Sequence, residues 1–225
     1  MEGSYVGSIL IQLLPLAIGS MLMPTWVLLV LFMLRSGHGP VNALAFVAGA
    51  TTVRLAQGIV FGLIFSAADV AHRKSAPGVI TSTLLLVAGI LLWASALKHL
   101  GKEGDPTARL RQGKALVASL TPLRALGLGM LVVVTSSRAW IFTLAAIGII
   151  REAELGQAES LVAYLLYILG AELLLVAPIL ASIRSSARFD AAARWLEGHA
   201  GALVMGVSFV VGAFFFWRGI TGLIG

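Results

Sequence analysis

The chain contains no cysteine, which excludes disulfides, thiolate metal sites and CxxC redox relays. It is also poor in charge. Only 12% of its 225 residues are Asp, Glu, Lys or Arg, against about a quarter in soluble domains. Too few charges remain to clothe a soluble fold. The mean hydropathy of +0.97 and the 59% hydrophobic residues place the chain in a bilayer. No HExxH pair, Gly-rich phosphate loop or nucleophile–base constellation is present. The histidines, His38, His72, His99 and His199, fall in or near connectors without ligand spacing. No metal, no other cofactor and no enzyme activity are therefore expected. The formal charge of +6 suggests nucleic acid at first sight. The basic residues, however, sit mainly between apolar runs, where they orient a membrane protein, so nucleic acid is not an expected partner.

What the sequence does have is long apolar runs. They are too long and too continuous for the strands of a barrel, which run to about 10 alternating residues. Six helical spans are expected: Tyr5–Leu34, Val41–Ser66, Gly78–Leu97, Leu120–Ile150, Ser160–Ile183 and Gly201–Gly225. The apolar run at the amino terminus continues to Leu34, well past a signal-peptide core, and reads as a retained first span. The first and fourth runs exceed one crossing, so each must tilt, bend or break. Pro15 and Pro24 offer breaks in the first, and Thr135-Ser136-Ser137-Arg138 in the fourth. Phe189, Ala192, Ala193 and Leu196 recur at helical spacing in the fifth connector, which reads as a short interfacial helix over 184–200. The cluster "FFFW" (Phe214–Trp217) reads as lipid-facing packing and an interface anchor.

Lys and Arg are unevenly shared between the two sides. The odd-numbered connectors and their flanks hold Arg35, Lys98, Lys102, Arg109, Arg111, Lys114, Arg124, Arg184, Arg188 and Arg194, while the other side holds Arg73, Lys74, Arg151 and Arg218. That bias puts the odd connectors in the cytoplasm and both termini outside. The longest polar stretch, His99–Lys114, is the natural joint between halves. The chain thus reads as one membrane domain, 1–225, made of a three-helix repeat (1–98), a cytoplasmic connector (99–119) and a second three-helix repeat (120–225). With an odd number of spans in each half, homologous halves must be inverted. Weak echoes point that way: "PTW" at Pro24 with "RAW" at Arg138, Gly49-Ala50 with Gly170-Ala171, and Gly89 and Trp93 with Gly212 and Trp217. The expected fold is an all-α integral membrane 3+3 inverted repeat with interrupted first and fourth helices, an architecture associated with secondary transporters.

Three charges fall well inside spans: Arg54, Arg138 and Glu172. Each costs about 2.5 to 3.5 kcal/mol at mid-bilayer on insertion scales, so each needs a partner, a cavity or a pathway. An Arg–Glu pair that only holds the bundle together is one reading. A substrate or proton site is the other, because two cations share one acid. A break at Thr135, Ser136 and Ser137 would aim freed N–H groups, with the Arg138 guanidinium, at a carboxylate, sulfate or phosphate. The alternative is a kink at which Arg138 snorkels to the interface.

The stretches "LPLAIGSMLMPTWVLLVLFMLRSGHGPVNALAFVAGA" and "SSRAWIFTLAAIGII" resemble the LysE superfamily of exporters. The length, "ALAFVAGA", "AWIF" and the fifth span ending in Pro178 most resemble its GAP (Sap) branch, the mycobacterial glycolipid- and sulfolipid-addressing proteins. Ser136-Ser137-Arg138 stands where the superfamily carries an Asn-Pro-Lys-type element, which argues against a LysE-like amino-acid substrate. Met23-Pro24-Thr25 stands near its first-span proline element. The resemblance implies a plasma-membrane exporter that moves an envelope glycolipid or other anionic amphiphile. On that reading Arg54, Arg138, Thr135, Ser136, Ser137, Pro24 and Thr25 bind substrate and Glu172 couples protons. Membrane lipids, an anionic glycolipid and a second copy of the chain, as a homodimer, are the expected partners. The runner-up is a proton-coupled exporter of amino-acid-like solutes. A membrane scaffold for lipid assembly, which transports nothing, is the third reading.

Overall fold

In a bilayer every backbone N–H and C=O must find its partner within the chain, and a helix does this locally. The computed structural model describes residues 2–21, 24–71, 82–83, 85–87, 89–90, 93–94, 117, 120–184 and 186–224, and all regular structure among them is helical. The helices whose bounds fall among the described residues are α1 (Glu2–Met21), α2 (Pro24–Leu34), α3 (Gly39–Ala71), α4 (Pro122–Thr135), α5 (Ser137–Glu152), α6 (Gln157–Arg184) and α7 (Ser186–Ile224). Gly39–Ile64 and Gln157–Ser182 are each long and apolar enough to cross a membrane, and the bent pairs α1/α2 and α4/α5 bring the candidates to four if each is one span. Ser208–Leu223 is a shorter apolar helix. The chain is an all-helical membrane protein.

The helices are apolar on both sides. Leu13, Leu16, Val30, Met33, Phe46, Phe142, Leu175 and Phe215 are buried against one another, while Ile11, Leu14, Ile59, Leu63, Leu161, Leu173, Val210 and Trp217 point outward. A helix apolar all round belongs in lipid.

Both long runs break, and local chemistry says where. α1 runs through Pro15, and the break in the first run falls just before Pro24, so that α1 and α2 meet at 60°. Proline is well placed at a helix start, where its missing N–H has no intrahelical partner to lose. Pro15 inside α1 forfeits one bond, which α1 tolerates. The second break falls at Ser136, inside the expected Thr-Ser-Ser-Arg element, with a 72° bend between α4 and α5. α4 itself opens on Thr121, whose hydroxyl accepts from the Arg124 N–H at 3.5 Å, followed by Pro122. The turn into α6 is closed by Glu159, whose carboxylate accepts from the Gly156 N–H at 2.8 Å.

The fifth connector differs from expectation. Instead of an interfacial helix over 184–200 followed by a separate span, Ser186–Ile224 is a single 39-residue helix. At 1.5 Å per residue it is about 58 Å long, roughly twice the bilayer core. No proline interrupts it, and isolated glycines weaken a helix without ending it.

α3 packs along α4, and α6 along α1. The α3–α4 crossing is as close as two helices come: a Cβ on Gly49 would strike the Leu126 carbonyl, and one on Gly129 would strike the Phe46 carbonyl. Small residues at such crossings let backbones meet where lipid offers no hydrophobic drive. α7 is tied to α1 by Arg218, which donates to Gln12 at 2.6 Å. Of the expected third span (78–97), Ser82, Leu86, Gly89 and Trp93 lie along α7, and Trp93 stacks between Phe209 and Phe216. Residues 78–81, 84, 88, 91–92 and 95–97 of that span lie outside the described residues. So do His72, Arg73, Lys74, Met23 and the 99–119 connector apart from Val117.

Candidate functional site

Arg54 sits midway along α3 and is wholly buried. Its surroundings come from four helices. Nη2 donates to Ser20 Oγ at 3.0 Å, in the last turn of α1, and the guanidinium carbon stands 5.8 Å from the ring centroid of Trp26, in the first turn of α2. Arg54 therefore bridges the two sides of the first helix break. From α6, the Glu172 carboxylate lies 3.7 Å from Nε, and Tyr164 donates its hydroxyl proton to the Arg54 carbonyl at 2.6 Å. Tyr164 reaches α3 at Gly58, where any Cβ would meet its ring.

The ion pair balances charge without saturating hydrogen bonds. At 3.7 Å the Nε–Oε1 contact is too long for a hydrogen bond. Glu172 is held instead through its other oxygen, 2.6 Å from the Thr51 hydroxyl. Arg54 Nε and Nη1, Glu172 Oε1, both ends of the Gln57 amide and the Tyr167 hydroxyl are all buried without a hydrogen-bond partner among the described residues. Buried polar atoms are normally paired, and these orphans share one neighbourhood: Gln57 is one turn from Arg54 on α3, and Tyr167 stacks at 6.1 Å on Tyr164, whose hydroxyl holds the Arg54 carbonyl. Gln57 follows Arg54 by three residues, hence on the same side of α3, and Phe61 continues that side to meet the Trp140 ring edge-on at 5.6 Å. One flank of α3 thus runs from the first break to the second.

The second break is finished with local groups. Ser136 is extended (φ −84°, ψ 101°) and caps α5, its hydroxyl accepting from the Ala139 N–H at 3.3 Å while its own N–H donates to the Val133 carbonyl at 3.2 Å. The Trp140 indole donates to the Val134 carbonyl at 2.8 Å, and the Thr135 hydroxyl to the Leu131 carbonyl at 2.8 Å. The helix rule gives the Ser137 N–H, in the first turn, no acceptor inside α5. Ser137 is exposed and Arg138 half-buried in that first turn.

Of the residues named from sequence, the structure brings Arg54 and Glu172 together and places Ser136 at the helix break, as cap. Thr135 and Ser137 flank it. Pro24 and Thr25 open α2, and nothing of their side chains is described. Ser20, Trp26, Thr51, Gln57 and Tyr164 were not anticipated. Gln57 could have been: a glutamine in the run "LAQGIVFGLIF" is a polar group in lipid territory. Ser20 and Tyr164 carry no such signal, because only the packing turns them toward Arg54. Among the described residues no group of three or more His, Asp or Glu could hold a metal. His199, expected in a connector, lies on α7 and stacks on Trp195 at 4.8 Å.

No curated protein and no solved structure matches the chain. The family model described as Sap, sulfolipid-1-addressing protein, matches residues 13–221, nearly the whole length. With its apolar helices and its buried polar centre between two broken ones, the chain belongs to the Sap, sulfolipid-1-addressing protein, family.

Proposed function

We propose that the protein is a plasma-membrane carrier of the LysE exporter type, not a catalyst, that moves an envelope glycolipid or another anionic amphiphile. The observation that carries this reading is Arg54, buried in an apolar helix, in contact with both sides of a broken span and short of acceptors. Broken helices beside a charged midplane site are the means by which secondary carriers bind and release. Arg138 and the Ser137 N–H at the second break form the other half of the substrate path, with α3 joining the two.

A 3+3 inverted repeat supports the same reading. Pairing α1/α2 with α4/α5 and α3 with α6 turns the α3–α4 contact into the α6–α1 contact, and both are main packing interfaces. Gly49 lies against Leu126 of α4, and Gly170, its echo, against Ala17 of α1. Gly89 and Gly212, also an echoed pair, touch each other, as residues beside a two-fold axis do.

The test is reconstitution. A vesicle holding the purified chain and a fluorescent sulfated glycolipid should expose the inner-leaflet probe to an impermeant quencher faster than an empty vesicle. Equal rates would leave the scaffold reading. An amino-acid flux with no lipid movement would favour the small-solute exporter. Topology has its own check: in intact cells, cysteine at Ser4 should react with an impermeant thiol reagent, and cysteine at Gly104 or Ser186 should not. Labelling at Gly104 would invert the proposed orientation. Crosslinking in the membrane would show whether the carrier works as a homodimer.

A further inference from the structure

We propose that Arg54, Gln57 and Tyr167 form an oxyanion site for a singly charged sulfate ester or phosphodiester, and that Glu172 is its resident counter-ion, which takes up one proton for each anion that enters. The site rests on the carrier reading above and says what that carrier's central residues recognise.

The donor set comes first. Nε and Nη1 of Arg54 hold three N–H bonds, the Gln57 amide two more and the Tyr167 hydroxyl one, and these buried groups have no acceptor among the described residues. In this set the donors outnumber the two unpaired acceptors, Gln57 Oε1 and Glu172 Oε1, which suits a ligand rich in acceptor oxygens. A sulfate ester or phosphodiester fits, and a carboxylate, with two oxygens, fits less well. Trp26 against the guanidinium and Ser20 on Nη2 hold the arginine in place while its other N–H groups exchange partners.

The charge balance comes second. With Glu172 ionised the centre is neutral, and a bound anion would leave a net negative charge in a medium that does not tolerate one. The ionisable groups facing Glu172 do not remove it. α3 contributes Arg54 and α6 Tyr164; the described side chains of α1 and α2 bring none. α5 carries Arg138 at its start and Arg151 and Glu152 at its far end, and on α7 Arg218 is engaged by Gln12. One proton on Glu172 restores neutrality: the ion pair, an oxyanion and a proton become an arginine–oxyanion pair beside a neutral carboxylic acid.

Thr51 is built for that exchange. Its hydroxyl, with a single proton, stands 2.6 Å from Glu172 Oε2 and 2.9 Å from the Val47 carbonyl. While Glu172 is ionised, Thr51 can serve only one of these acceptors. Once Oε2 carries a proton, Glu172 donates to Thr51 and Thr51 to Val47, and both bonds are made. The carboxylate is thus anchored on a group that accepts either protonation state, while its Oε1, the oxygen nearer Arg54, has no hydrogen bond to lose.

Calorimetry on the full chain in lipid nanodiscs tests this, with methyl sulfate and hexyl sulfate, both monoanions, as probes in two buffers of different ionisation enthalpy. About one proton should be taken up per anion, and affinity should fall about tenfold for each pH unit once Glu172 is ionised. Glu172→Gln should bind with no proton uptake and a flat pH profile. Gln57→Leu should lose about tenfold in affinity while keeping the proton. Gln57→Leu leaves the buried ion pair intact, so the result does not hang on Glu172→Gln or Arg54→Met, each of which removes one charge of that pair. Anion binding without proton uptake in the unmodified chain would overturn the inference, as would uptake that persists in Glu172→Gln or a failure of both probes to bind. Hexyl sulfate well ahead of methyl sulfate would identify an amphiphile head group as the source. Equal affinities would support the site with a free anion as its ligand and would count against lipid carriage. Proton-linked binding in a chain that moves no lipid in vesicles would sink the carrier reading and leave this site standing.

Discussion

The two helix breaks solve one problem in opposite ways. At the first, α1 and α2 part by 60° just before Pro24, and a residue from another helix closes the gap, Arg54 reaching Ser20 on one side and Trp26 on the other. At the second, α4 and α5 part by 72° and the chain closes the gap itself, with Ser136 as cap and Trp140 returning to the Val134 carbonyl. A break held by a distant charge depends on the whole bundle. A break held by its own neighbours is local. If the chain is a carrier, the first is the element whose geometry responds to what Arg54 binds, and the second is a preset bend.

The largest effect should therefore come from Arg54. Arg54→Met strips the counter-charge from buried Glu172 and should destabilise the fold by about 3 to 5 kcal/mol, read by thermal unfolding in detergent. Arg54→Met with Glu172→Leu removes both charges and should recover most of that loss, since a buried ion pair is often replaceable by apolar packing. Transport should stay abolished in the double variant. A stable, fully active double variant would reduce the pair to glue and remove the difference between the breaks.

A smaller effect is expected at the second break. Ser136→Ala should cost about 1 kcal/mol, the usual worth of an N-cap. Joined to Ser137→Leu it favours one continuous apolar helix, which should insert normally and transport poorly. Full activity would show that the bend does not shape the path. The smallest effect on stability belongs to Arg138. Arg138→Ala should fold and lose transport, whereas Arg138→Lys should keep partial activity, having the charge without the planar fork. Full activity in Arg138→Lys and near-normal activity in Arg138→Ala would leave Arg138 a snorkelling residue.

Proton coupling sharpens the comparison once more. Glu172→Gln should reach the membrane folded and transport without regard to the proton gradient. Gradient dependence that survives would move the coupling away from the first break.

Legibility in the sequence follows the range of the interactions. Ser136 was visible because capping acts over three residues, and Pro24 because proline suits a helix start. The same reasoning could not choose between Pro15 and Pro24, since both prolines tolerate the positions they occupy. It also divided 184–224 into an interfacial helix and a span by its change in polarity, while the backbone, with no proline to stop it, ran on as α7.

Composition and local pattern thus determined the membrane class, the helical build, the second break and the presence of charges that need partners, because each depends on solvent or on residues a turn away. Only the tertiary structure decided how those charges are partnered. Glu172 was as free on paper to meet Arg138 as Arg54, and its hydrogen bond to Thr51 spans 121 residues of sequence. Nor could a pattern within one helix tell that Gln57 would be buried unpaired beside the pair, or that Ser20, Trp26 and Tyr164 would turn toward Arg54. Those contacts arise where α1, α2, α3 and α6 meet, and that meeting is set by packing such as Gly49 on α4 and Gly170 on α1.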